Sequence, residues 1–381
     1  GGEYPIASTS ASERAEADQA LHHRRGETVM LTFSMQGWGN WLNTAVLALL
    51  LVAWGQTSKA AYDEHSLEKV WRLSFILGLI PVVGMLCWRL FRLEESSVWA
   101  DKQYRLQREG GGRGFDAWKV ACWARMYWHR LLGTSACWFA WDLAFYGNRL
   151  FQGTFIAIMN PNASVVQVLG WTLVNSTVSL AGYYAAAFTV DKPWMGRRRM
   201  QVMGFFWMFV LFAVCASNYR ALTQPRLLWL FRLMYYTSSF FGQWGPNATT
   251  WLLPSELFPT ETRAMSHGLA AAAGKVGALV AGVVFGLAGD VAKFYISAAC
   301  GLAGAALTLL LIPDISGLDL SEGDKRWMLV VEGQGEDYRG PAVEPRHLSL
   351  FENLLGLARA PAAHAVQTNG LHRAAPSDDA T

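Results

Sequence analysis

Eight stretches of this chain are each long and apolar enough to cross a bilayer, and that repetition leaves few folds open. They cover approximately residues 28–54, 71–90, 131–150, 165–190, 200–217, 233–253, 268–289 and 294–313; a ninth, 1–12, is too short to span by itself. A helix needs roughly 20 apolar residues to cross the hydrocarbon core. Within that core each backbone N–H and C=O must be satisfied inside the protein, so the expected fold is an all-α polytopic membrane protein. Composition agrees, with only 16% charged residues against about 25% in a soluble domain. The 18 Trp and 12 Tyr suit helices that meet two membrane interfaces. Five cysteines without paired spacing read as core residues, with no disulfide framework and no metal site.

Basic residues mark one side of the membrane. Alternate loops carry fifteen Lys and Arg on one side, among them Arg24, Arg25, Arg92, Lys119 and Arg197, and five on the other. The rich side is expected to be cytoplasmic. Residues 91–130 then form a basic cytoplasmic linker between two groups of spans, and residues 314–381 a cytoplasmic tail whose Ala/Pro/Ser-rich end reads as disordered. Asn162-Ala163-Ser164 is a glycosylation sequon on an external loop; those at Asn175 and Asn247 fall inside spans. Pro81, Pro246 and Pro254 interrupt helical hydrogen bonding within spans. The Gly/Ala-rich segment from Gly268 lets helices approach closely.

One span holds a carboxylate. Asp142 lies mid-way along residues 131–150, with Trp138 four residues before it and Tyr146 four after. Residues four apart share a helix face, so an aromatic wall, an acid and a phenol line one stripe. An ionised Asp at the bilayer centre costs roughly 2.5–3.5 kcal/mol on insertion scales and by default marks a functional site. A purely structural pairing of Asp142 with Lys275 is the competing reading.

Four segments carry a resemblance. Gly1-Gly-Glu-Tyr-Pro5 followed by Ser12-Glu13 and Arg25-Gly26, then FSMQG with Gln36, then WFAWDLAFY, and finally GPNATTWLLPSELFPTETRAMSHGLAAAAGK, the most specific, resemble the phosphate:proton symporters of the major facilitator superfamily. The resemblance implies a major facilitator fold, N-terminally truncated, with about nine spans instead of twelve. Residues 1–90 would be the remainder of the N-terminal half, 91–130 the linker, 131–313 the six-helix C-terminal half and 314–381 the tail. It further implies that Tyr4, Gln36, Trp138, Asp142, Tyr146, Asn247 and Lys275 bind phosphate, and that Glu3 and Asp142 handle protons. Glu3 stands where the family more often has Asp.

The chemistry is coherent. Tyr, Gln, Asn and the indole donate hydrogen bonds to phosphate oxygens, and Lys adds charge. Two buried like charges repel, so either Asp142 or the phosphate carries a proton, and a protonated phosphate donates to the carboxylate. Sulfate, with no proton near neutral pH, would meet only repulsion. The expected activity is inorganic phosphate transport coupled to protons, in a plasma membrane, with phosphate, protons and lipid as partners and no cofactor. A glycerophosphodiester, another organic phosphate or a sugar is the alternative cargo. A nutrient sensor or inert truncated product is the alternative of another class. The chain lacks a GxxxxGK[ST] loop, a His-Glu-x-x-His pair and a nucleophile elbow, which argues against an enzyme or an ATP-driven pump. Its basic residues sit in loops and form no nucleic-acid face.

Overall fold

The computed structural model describes residues 3–18, 21–58, 62–92, 117–153 and 163–357. The linker core, Asn162 of the sequon and the end of the tail lie outside them. Helices α1 (Glu3–Ala17), α2 (Arg25–Phe33), α3 (Met35–Ala53) and α4 (Glu64–Arg92) precede the linker. After it come α5 (Ala117–Leu150), α6 (Val165–Thr189), α7 (Gly196–Ser217), the short α8 (Tyr219–Leu222) and α9 (Leu228–Gly242). A π-turn, Gln243–Asn247, joins α9 to α10 (Ala248–Leu257), and α11 (Thr260–Leu287) and α12 (Asp290–Leu311) complete the bundle. Among the described residues there is no strand.

Five helices, α4, α6, α7, α11 and α12, are each long and apolar enough to cross a membrane. The other expected spans are helical too: residues 28–54 divide into α2 and α3 at Ser34, and 233–253 follow α9 through the π-turn into α10. The largest difference from expectation is at α5, which begins at Ala117 rather than near residue 131. Arg125 and Arg130 lower the hydropathy there, yet the helix runs on past the apolar core for about 14 residues, ≈ 20 Å at 1.5 Å per residue.

The C-terminal helices pack tightly, α5 against α11 and α12, and α12 against α7. Glycine permits this: a Cβ on Gly277 of α11 would lie 2.5 Å from the carbonyl oxygen of Phe139, and one on Gly301 of α12 would lie 2.8 Å from that of Phe205. The earlier helices lean on this group, α3 on α6 and α1 on α11 and α2. Helix α4 packs on α3 and otherwise presents apolar side chains outward, including Phe75, Ile80 and Leu90. Uncharged on every side from Leu73 to Trp88, it fits a lipid-facing span.

Carboxylates and guanidiniums clasp the basic-loop end. Both Arg25 of α2 and Arg197 of α7 donate to the fully buried Glu256 side chain, at 2.8 and 2.9 Å. Arg25 also pairs with Glu16 (2.6 Å) and Arg197 with Asp191 (2.6 Å). The tail, expected to be merely polar, folds against this end. Leu318 O accepts from Arg25, and Leu320 N donates to Glu16. Helix α13 (Leu320–Val331) follows, capped by Asp319, and sends Trp327 Nε1 to Glu261 at 2.9 Å. Helix α14 (Leu350–Leu354) brings Glu352 against His129 (2.9 Å) and Arg130 (2.7 Å) of the α5 extension.

Burial acts to raise the pKa of Glu352, but Arg130, His129 and the Ser349 N–H outweigh it and hold the carboxyl well below its usual 4.5. A depressed folded-state pKa stabilises above the unfolded value and loses that contribution as pH falls through the folded one. The tail is therefore expected to stay docked at neutral pH and to become protease-sensitive only as pH falls well below 4.5. Limited proteolysis with an acid-active protease at low pH and a neutral one at about pH 7, compared with Glu352→Gln, checks this. The variant should be nicked at neutral pH as well.

Candidate functional site

Trp138, Asp142 and Tyr146 lie along one face of α5, as their spacing requires, and Lys275 of α11 meets that face. Its Nζ donates to Asp142 Oδ2 (3.1 Å) and to Tyr146 OH (3.0 Å). It also stands over two rings, 5.1 Å from the centroid of Tyr4 and 4.8 Å from that of Tyr146. The carboxylate is shielded, while the ammonium side chain keeps 39% of its surface exposed. A cation held by an acid and two π-faces, open on one side, is arranged to receive an anion.

Gly274 sets the depth of this contact. A Cβ there would lie 2.5 Å from Trp138 Cδ1 and 3.0 Å from Asp142 Oδ2. Alanine does not fit unless α5 and α11 separate. Trp138 in turn packs edge-on to His267 (5.4 Å between centroids) and beside Tyr4 (6.3 Å).

An amide–phenol chain continues from Tyr4 across the bundle. Gln36 Nε2 donates to Tyr4 OH at 3.2 Å, and Gln36 Oε1 accepts from Tyr183 OH at 2.6 Å and from Asn247 Nδ2 at 3.1 Å. Asn247 Nδ2 also donates to Tyr183 OH (2.7 Å) and Gln243 Oε1, and Asn247 Oδ1 accepts from Trp141 Nε1 at 2.8 Å. The π-turn aims Asn247 and Gln243 inward together. Pro246 has no N–H to donate, which favours the wider turn there. Thr249 and Thr250 donate to the carbonyls of Gly245 and Pro246, satisfying backbone that the irregularity loosens.

All seven expected binding residues thus occupy one continuous hydrogen-bonded and ring-contact assembly. Glu3 is the first residue of α1, one position before Tyr4, and its side chain lies outside the described residues. Tyr183, Trp141 and Gln243 were not anticipated. Trp141 and Gln243 carried a weak signal, three residues after Trp138 and four before Asn247, whereas Tyr183 sits in an apolar run that reads as packing. Arg232 stacks over the Trp171 ring at 4.8 Å, away from this assembly.

A sequence profile described as sugar (and other) transporter matches residues 134–327, half of the chain. The chain belongs to that family. It is 28% identical over 396 residues to low affinity inorganic phosphate transporter 1 of Petunia hybrida, covering 89% of this chain and 72% of that one. It is 29% identical over 381 residues to inorganic phosphate transporter 1-6 of Oryza sativa subsp. japonica, covering 84% and 69%. The crystal structure of a double-tryptophan XylE mutant superposes with a TM-score of 0.60 at 20% identity, covering 82% of this chain and 69% of that one. That likeness establishes the major facilitator fold. The protein is a multi-pass membrane transporter, and the assembly draws on helices from before and after the linker.

Proposed function

We propose that this transporter moves inorganic phosphate together with protons across a plasma membrane, its basic loops facing the cytoplasm. The observation that carries the reading is the Lys275 ammonium shared between Asp142 and Tyr146 beneath the Tyr4 ring. Phosphate entering there meets a cation, phenol and amide donors, and one carboxylate that accepts from the phosphate's own proton. The names of the plant relatives support phosphate as cargo. In this reading Tyr4, Gln36, Trp138, Tyr146, Asn247 and Lys275 bind the ion, and Asp142 and Glu3 pass protons. When Asp142 is neutral, Lys275 is released toward phosphate. When it is ionised it reclaims Lys275 and repels a deprotonated ion, so charge at one residue both selects and expels.

A second reading is favoured by one observation. Beyond Tyr183 and Gln243 lies a polar cavity lined by Asn40, Asn148, Gln152 and Asn175. Asn148 Oδ1, Gln152 Nε2 and Asn175 Oδ1 are buried there without partners. Both donors and acceptors left open suit hydroxyl groups, so a phosphate ester of a small polyol is the alternative cargo.

The test is uptake of labelled phosphate, across a pH series, in cells lacking their own phosphate transporters. Uptake should rise in acid, ignore excess sulfate and fall with excess phosphate. Strong competition by a glycerophosphodiester would move the reading to the ester. No uptake of either, from a protein that reaches the membrane, would sink both.

A further inference from the structure

A second cavity lies far from the transport assembly, between the α5 extension and the folded tail. It encloses about 630 Å³, a size typical of small-molecule sites, and its lining has the usual mixture of aromatic surface and a few convergent charges. Trp118, Tyr127 and Trp128 of α5 form one wall, with Tyr338 and Val330 opposite. Trp118 is fixed by donating to Val331 O at 2.8 Å, and Trp128 by edge-on packing against Phe351 at 5.6 Å. Each ring is held by that contact and stays about half exposed toward the cavity mouth.

Three guanidiniums line the same space: Arg125, Arg130 and Arg326. Their circumstances differ. Arg130 is held by Glu352 at 2.7 Å and lies against the Tyr127 ring. Arg125 is exposed. Arg326 is partly exposed, makes no hydrogen bond or ion pair among the described residues, and has Arg130 as a repelling neighbour and Glu352 and Tyr338 as attracting ones. Glu352, the nearest buried acid, is already committed to His129, Arg130 and the Ser349 N–H. The other acid in the lining is Glu336. A guanidinium carries five donors in a fixed fork that matches phosphate oxygens, and Arg326 keeps that fork open toward the cavity.

We propose that this cavity binds a phosphorylated aromatic metabolite of the mononucleotide class. The phosphate lies on Arg326 with Arg125 beside it, the ring stacks on the Trp118–Trp128 wall, and Glu336 accepts from a sugar hydroxyl or exocyclic amine. A ligand there touches both α5 and the tail, so it fastens the tail that clasps the basic-loop end. The proposal is independent of the cargo carried by the transport assembly.

The experiment is titration of the purified full chain in nanodiscs with adenosine monophosphate, read by tryptophan fluorescence and calorimetry. Adenosine and inorganic phosphate are titrated separately. The expected result is saturable nucleotide binding, weakened by about tenfold or more in Arg326→Gln, the scale of one lost charge-assisted contact. Arg326→Lys should recover part of it. Asp142→Asn should bind the nucleotide as the unaltered protein does, which separates this site from the transport assembly. Binding unchanged in Arg326→Gln, absent in the unaltered protein, or as tight for inorganic phosphate as for the nucleotide, would overturn the proposal.

Discussion

Asp142→Asn is expected to reduce phosphate uptake by a factor of about ten or more and to flatten what remains across pH, because the amide neither repels an ion nor takes up a proton. The variant keeps the shape of the carboxylate, so α5 and α11 stay packed around Gly274. The same measurement on Lys275→Gln, and on the two changes together, distinguishes transport from scaffolding. Each single change leaves one partner of a shielded pair uncompensated, a situation that costs about 3–5 kcal/mol when burial is complete and less here, where Lys275 is 39% exposed. The double variant removes that penalty and should restore protein yield to the normal level. If the pair only held helices together, uptake would return with the yield. Recovery of folding without recovery of uptake is the expected outcome, and full recovery of both would remove Asp142 from the mechanism.

The second large effect is expected at Glu256. Arg25 and Arg197 are each only 4% exposed and converge on this one carboxylate, with Arg197 Nη2 adding a further bond at 3.1 Å. Glu256→Gln keeps one acceptor oxygen, replaces the other with an NH2 donor that faces guanidinium N–H groups, and removes the charge that neutralises both guanidiniums. Breaking a buried ionic cluster by removing one member typically costs about 3–5 kcal/mol. The thermal midpoint of the purified protein should fall accordingly. Transport should fall with it, because the clasp joins α2, from before the linker, to α7, from after it. Arg25→Gln should be milder, since Glu256 retains Arg197 and Glu16 is partly exposed. An unchanged midpoint in Glu256→Gln would mean the clasp carries no stability.

Hydropathy alone located the bundle, because a helix in lipid needs a long uninterrupted apolar run. The stripe of Trp138, Asp142 and Tyr146 was legible for the same local reason, a spacing of four on one helix. Its counterpart was not. Tyr4, Gln36, Asn247 and Lys275 lie on α1, α3, the π-turn and α11, and no local pattern says which face of one helix meets which face of another; they were reached through resemblance. Tyr183 is a phenol in an apolar run, where most such residues simply pack, and only the fold reveals that its hydroxyl joins Gln36 to Asn247. The extension of α5 was missed because its Lys and Arg depress hydropathy without opposing a helix. The tail was missed because Trp327, Glu352 and Asp324 acquire meaning only against Glu261, Arg130 and Thr260.

The tail also imposes an order on biosynthesis. Domains emerge and fold from the N-terminus during synthesis, yet Arg25 and Glu16 wait for Leu318 and Leu320, some 300 residues later in the chain. Until translation reaches them, that end lacks its hydrogen bonds to the tail, although Arg25 and Arg197 already have Glu16, Asp191 and Glu256 as partners. A ribosome that stalls before this point releases a nearly complete bundle that cannot latch.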